Sequence, residues 1–217
     1  MQQITSQQAG RRPRNPRGQG ERLREEILDA ADALLAESGD ARTLSLRGVA
    51  KRVGIAATSV YLHFPDVEQL KLAVAARGFA EFAAARDVAS HGISDPCEAL
   101  LARGRSYAHY ALQHPGRYRL MFGPGMPPAL TYDAEGSPSR QALQELARGI
   151  ARCRAALGSH DDEDPLRAAT MLWAALHGNV ILRIDRPHFP WPPLDETIAE
   201  TVRRIVGIPA DGGQRTR

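Results

Sequence analysis

TLSLRGVAKRVGIAATSVYLHF, residues Thr43 to Phe64, is the stretch from which the fold is read. Ser45 is placed to cap a helix, its hydroxyl accepting from the free N–H groups of the first turn. Leu46, Val49, Ala50 and Val53 follow at offsets 0, 3, 4 and 7, which is one helical face. Gly54 ends that helix, as the residue that most readily takes a left-handed backbone, and Ile55 plugs the corner. A second short helix is expected from Ala57 to Leu62, turning Val60, Tyr61 and Phe64 inward.

The order helix, glycine turn, helix places small Ala50 four residues before Gly54, where two crossing helices must approach closely. This is a helix-turn-helix arrangement, whose second helix enters the major groove of DNA. On that reading Ala57, Thr58, Ser59 and Leu62 face base edges. Thr58 and Ser59 donate or accept there, and Leu62 touches a thymine methyl. Arg47, near the start of the preceding helix, reaches a base or a phosphate. Thr43, Ser45, Lys51, Tyr61 and His63 are phosphate candidates, which position rather than specify. The alternative for His63 is a helix-end cap without DNA contact.

The 217 residues suit one or two domains. Helix formers dominate and no run of alternating β-branched residues occurs, so the class is all-α. The net charge of +3 is unevenly spread. Arg11, Arg12, Arg14, Arg17, Arg22 and Arg24 stand against Glu21 alone, a net of +5 in the first 24 residues, which leaves −2 for the rest. A basic arm on a nearly neutral body points to a polyanion held at one end. Residues 1–20 have nothing to bury and are expected to be disordered in the free protein. Arg14 and Arg17 are the candidates for a neighbouring minor groove. Cys97 and Cys153 match no metal or redox spacing and read as free thiols of a reducing cytoplasm. No apolar segment follows the N-terminal arginines, so no signal peptide is expected. The most apolar run, Ala168 to Leu176, is too short to span a membrane.

Along the chain, Glu21 to Ser38 reads as a helix with Leu23, Ile27, Ala30, Ala31, Leu34 and Leu35 on one face, bracing the helix-turn-helix pair into a three-helix head. Asp66 caps a long helix, Val67 to Ser90, shared by the head and the larger helical region after it. Further helices are expected at Pro96–Gln113, 117–122, 140–157, 165–184 and 194–206. His114-Pro115-Gly116 is a break, and Met126 to Ser139 a mobile loop beside a cavity. The run His160-Asp161-Asp162-Glu163-Asp164 lacks the glycine-bearing calcium-loop pattern and reads as an acidic helix start rather than a metal site. The 165–184 helix is apolar on more than one face, as a helix buried on both sides is, by its own chain or by a partner's. The tail after residue 207 is polar and expected to be loose.

Ala50, Gly54, Ile55 and Val60, closed by Tyr61-x-His63-Phe64-Pro65, resemble the head of the TetR-type bacterial transcription regulators. REEILDAADALLAESGD (24–40) is similar to the first helix of that family. HPGRYRLMF (114–122) followed by LWAALHG (172–178) resembles its WHG class of C-terminal domain, here Trp173, His177 and Gly178. The resemblance covers roughly residues 20 to 207. It implies phosphate contacts for Thr43, Tyr61 and His63, a homodimer joined by the last two long helices, and a buried cavity for a small effector. Three positions depart from the pattern. Ala56 stands where a Ser or Thr usually caps the recognition helix, Gly48 lies inside a helix, and Val67 replaces a phosphate-gripping lysine.

The expectation is a basic arm (1–20), a DNA-binding head (21–66), a helical effector-binding and dimerisation domain (67–207) and a flexible tail (208–217), with about nine helices. The function expected is a cytoplasmic, dimeric repressor, released from a palindromic operator in double-stranded DNA by a small apolar or aromatic effector. The alternative is a DNA-binding regulator without an effector. Phe82, Tyr107, Tyr110, Met121, Phe122, Ile150, Trp173 and His177 are the effector candidates, with core packing the competing role for Trp173 and His177. No Ser-His-Asp set, carboxylate pair or metal-spaced cluster is visible, so neither enzyme nor cofactor is expected.

Overall fold

Ser45 and Gly54 bound the decisive helix as their chemistry requires. The Ser45 hydroxyl accepts from the Gly48 N–H at 3.1 Å, and Gly54 takes a left-handed backbone with φ 77°. The computed structural model describes residues 20–159 and 164–209. Among them are nine α-helices and no strand: α1 (Gly20–Ser38), α2 (Leu46–Val53), α3 (Ala57–Tyr61), α4 (Val67–Ser90), α5 (Pro96–Gln113), α6 (Pro115–Phe122), α7 (Pro138–Ala156), α8 (Pro165–Asp185) and α9 (Leu194–Val206). Short 3₁₀ turns lie at Ala41–Thr43 and Pro128–Leu130.

Helices α1 to α3 close on Ile27, Ala31, Leu35, Val49 and Val60, all fully buried. Asp66 accepts from the Gln69 N–H at 2.8 Å and starts α4. That helix has 24 residues, about 36 Å at 1.5 Å each, enough to serve two packing environments. It packs on α1 of the head and on α5, α6 and α7. Helix α5 is central to the larger part, against α4, α7, α8 and α9. No helix among the described residues is long and apolar enough to cross a membrane.

The structure departs from the sequence reading in several places. Pro115 and Pro138 open helices α6 and α7 at the first-turn position, where a missing N–H costs nothing. Both helices therefore begin two residues earlier than the sequence reading places them. Tyr61 does not turn inward but is 49% exposed, because α3 ends there and only Val60 and Phe64 reach the core. Cys97 and Cys153 are not free thiols but form a disulfide. The packing of α5 on α7 brings their Cα atoms to 4.7 Å across 56 residues of chain, a proximity that spacing along the sequence does not encode. The stretch from Met126 to Ser139 is anchored by buried Leu130 and Ser137, and the Arg140 Nε donates to the Tyr132 carbonyl at 2.8 Å. Trp173 is 36% exposed rather than core. One face of α8 stays uncovered, with Met171, Ala174 and Leu182 exposed at helical spacing. Arg14, Arg17, the arm through residue 19, residues 160–163 and the tail from 210 lie outside the described residues.

Candidate functional site

The outer face of α2 and α3 gathers most of the sequence-predicted DNA residues. Thr43, Ser45, Arg47, Lys51, Thr58, Tyr61 and Leu62 are exposed, and Ala57, Ser59 and His63 half-buried. Leu62 is 87% exposed, an apolar side chain held in water. Among the described residues Arg47 and Lys51 have no acidic partner, so their charge is available. Arg42 is not: its side chain and its backbone N–H both bind the Asp40 carboxylate, which they hold down to about 2. Arg52 is likewise tied to Glu37 at 2.7 Å. Two side chains of the face have internal duties. The Thr43 hydroxyl donates to the Asp40 carbonyl at 2.7 Å, and Ser45 caps α2. Ala56 gives α3 no side-chain cap, and Val67 packs against the core. A Cβ at Gly48 would lie 3.0 Å from the Ser45 hydroxyl oxygen, which accounts for glycine inside α2.

A second region lies where α1, α4 and α6 meet. Asp32 accepts from Arg117 at 2.8 and 2.6 Å in a two-pronged pair, and also from Arg77. Arg77 continues to Asp29 at 2.8 Å, and Arg117 to Glu81. Burial works against the Arg117 charge, but hydrogen bonds with Asp32 and Tyr110 outweigh it and raise its pKa. Arg119 donates to the Gly39 carbonyl at 3.1 Å, just beyond the end of α1, and pairs with Asp185 at 2.5 Å.

The third feature is a cavity of ≈ 410 Å³ bounded by α4, α5, α6, α7 and α8. Phe82, Tyr107, Phe122 and Trp173 line it, as do Leu100, Leu143, Leu146 and Leu176. Met126, Tyr132 and Ser139 bring the 123–139 stretch to its rim. The other four effector candidates are elsewhere. Met121 and Ile150 are fully buried in the core. The Tyr110 hydroxyl donates to the Gly78 carbonyl at 3.1 Å. His177 Nδ1 is 2.7 Å from the Tyr118 hydroxyl, which in turn bonds the hydroxyl of cavity-lining Tyr107. The wall also holds charges that apolar periodicity does not single out: Arg86, Arg103, Glu145 and Arg152. Arg86 had a legible signal, since it lies four residues after Phe82 on the buried face of α4.

Burial raises the pKa of Tyr107 and Tyr118, which stay phenols, and lowers that of His177. His177 Nδ1 and the Tyr118 and Tyr107 hydroxyls form one hydrogen-bonded chain, whose direction follows from the tautomer of neutral His177. His114 is lowered too, by burial and then by Arg117. A histidine depressed below its ordinary 6.5 contributes stability that is complete above that pH and is lost as pH falls toward the folded value. Thermal melts should therefore show the fold weakening between pH 7.5 and 5.5. The His177→Gln variant should show a shallower loss over that window, and an unchanged slope would refute the assignment.

A helix-turn-helix face at one end of an all-helical chain, and a ligand-sized cavity at the other, define a DNA-binding transcriptional regulator rather than an enzyme. A profile described as "Bacterial regulatory proteins, tetR family" matches residues 27–74, and one described as "Tetracyclin repressor-like, C-terminal domain" matches residues 100–206. The chain belongs to the TetR family of transcriptional regulators. It is 28% identical over 165 residues to an HTH-type transcriptional regulator of Mycobacterium tuberculosis, covering 74% of this chain and 70% of that one. A solved structure from Rhodococcus sp. RHA1 is 25% identical with a TM-score of 0.71, covering 85% of this chain and 94% of that one. A TetR/AcrR-family regulator from Thermobifida fusca, 22% identical with a TM-score of 0.61, shares the fold over 89% of this chain and 100% of its own.

Proposed function

We propose that the chain is a cytoplasmic, dimeric repressor whose grip on a palindromic operator is released by a small, largely apolar effector. The observation that carries this reading is the position of α6. Phe122 at its end lines the cavity, while Gly116 at its start lies against the Leu35 carbonyl of α1. A ligand that moves Phe122 thus acts on a rigid element already in contact with the head. In this reading residues 21–66 are the DNA-binding unit and 67–207 the effector and dimerisation unit. Lys51, Thr43, Ser45, Tyr61 and His63 hold phosphates, Arg47 reaches a base or a phosphate, and Arg14 and Arg17 of the arm enter a neighbouring minor groove. Ala57, Thr58, Ser59 and Leu62 meet bases. The uncovered apolar face of α8 supports a partner there, with α9 beside it.

A two-fold dimer reads two half-sites about 34–36 Å apart, or a multiple of that. Selection of random duplexes by the purified protein, followed by sequencing, should return a palindrome. The double variant Arg47→Ala, Tyr61→Ala should lose it. No enrichment even at low salt, where phosphate attraction is strongest, would end the reading, and so would a selected site without two-fold symmetry. By linkage, bound operator must weaken effector binding by the factor through which effector weakens DNA binding.

A further inference from the structure

Carbon lines most of the cavity wall, but one end is charged and unbalanced. Arg86 is only 8% exposed, yet its guanidinium is poorly served by its own chain. Its Nε donates to the Phe82 carbonyl at 3.3 Å, and its plane lies over the Phe82 ring at 4.4 Å. Its terminal nitrogens have no hydrogen-bond acceptor among the described residues. The facing carboxylate, Glu145, stands 3.7 Å away, and Arg103 approaches the same Glu145 oxygen at 3.5 Å. One carboxylate oxygen thus faces two guanidiniums: Arg103 Nη2 donates to it in a long hydrogen bond, while Arg86 stays beyond hydrogen-bond distance. Arg103 has a second acid, Asp87 at 2.6 Å, but Arg86 has none. A guanidinium taken out of water without an oxygen partner is costly. Its planar fork of donors matches a carboxylate in two parallel bonds.

We propose that the effector is a small organic carboxylic acid. Its carboxylate sits on Arg86 with Arg103 beside it, and its apolar body lies among Phe82, Tyr107, Phe122 and Trp173. The volume, toward the small end of the usual range for ligand pockets, limits the body to an aryl or medium-length acyl group. This inference rests on the reading of the cavity as the effector site and adds the chemical class.

The test is calorimetric titration of the full chain with matched pairs: naphthalene-2-carboxylate and its primary amide, benzoate and benzamide, decanoate and decanamide. At least one acid should bind about tenfold or more tightly than its amide, the margin expected of charge-assisted hydrogen bonds. Arg86→Met, whose melting profile is checked first, should erase the preference for the acid. Arg86→Lys, which keeps the charge and loses the fork, should retain only part of it. Amides that bind as well as their acids would overturn the carboxylate assignment and leave the cavity an effector site for neutral molecules. Silence of all six compounds up to about 1 mM would overturn the assignment and count against the effector reading too. An acid preference that survives Arg86→Met would place the anion elsewhere and sink the proposal.

Discussion

Asp32→Asn should lower stability by about 3 kcal/mol, the low end of what breaking a buried ion pair from one side costs. For a chain of this size that is roughly 6–12 °C in melting temperature. Asp32 and Arg117 side chains are each only 12% exposed, and Arg77 is 20% exposed. An amide keeps one acceptor but removes the charge, and its NH₂ group then faces a guanidinium. Two half-buried cations are left side by side, with Glu81, Asp29 and Glu25 as remaining acidic partners. Asp29 is 73% exposed and thus strongly screened, which is why a full rescue is not expected. Denaturant unfolding checks the figure, and a loss below about 1 kcal/mol would show that these outer acids suffice. The cluster also joins α1 of the head to α4 and α6. Operator affinity without effector should therefore fall in Asp32→Asn even at temperatures where the variant is fully folded.

The elements that sequence revealed are those whose causes are local. Ser45, Gly54 and Asp66 each act within one helical turn, and the bounds of α2, α4, α5 and α9 follow from such signals. What sequence did not reveal depends on which faces meet in space. The Cys97–Cys153 bond needs the packing of α5 against α7. The exposure of Trp173 depends on which face of α8 its own chain leaves uncovered. Tyr110 and Phe82 look alike as buried aromatics, yet one bonds the α4 backbone and the other lines the cavity. Apolar periodicity finds the inward side of a helix, but it does not separate core from cavity wall. A polar clue that the sequence reading did not use bears on that difference: arginine at position 86 breaks a stripe that otherwise runs through Val74, Ala75, Gly78, Phe79 and Phe82. A charge on a buried face needs a reason, and a ligand is one.

Gly116→Ala tests the contact between the cavity side and the head most directly. Alanine for glycine in a helix ordinarily gains about 0.5–1 kcal/mol. Here the sign reverses. A Cβ on Gly116 would sit 2.0 Å from the Leu35 carbonyl oxygen and 2.5 Å from its carbon, both backbone atoms. That carbonyl is already fixed as the acceptor of the Gly39 N–H that closes α1. Neither side can yield by turning a side chain, so α6 must move off α1. The expected cost is about 3 kcal/mol, the upper range of overpacking. Gly149→Ala is the control. Its added Cβ meets a flexible Leu100 methyl at 3.4 Å and the tip of Arg152 at 4.0 Å, so it should keep the ordinary helical gain. The two variants separate helix propensity from contact. If both are neutral or stabilised in denaturant unfolding, α6 is not held against α1, and Phe122 has no rigid route to the head. If Gly116→Ala alone is weakened, its operator affinity without effector should fall as well. That fall should be accompanied by a smaller further response to effector, because the displacement the ligand would cause is already present.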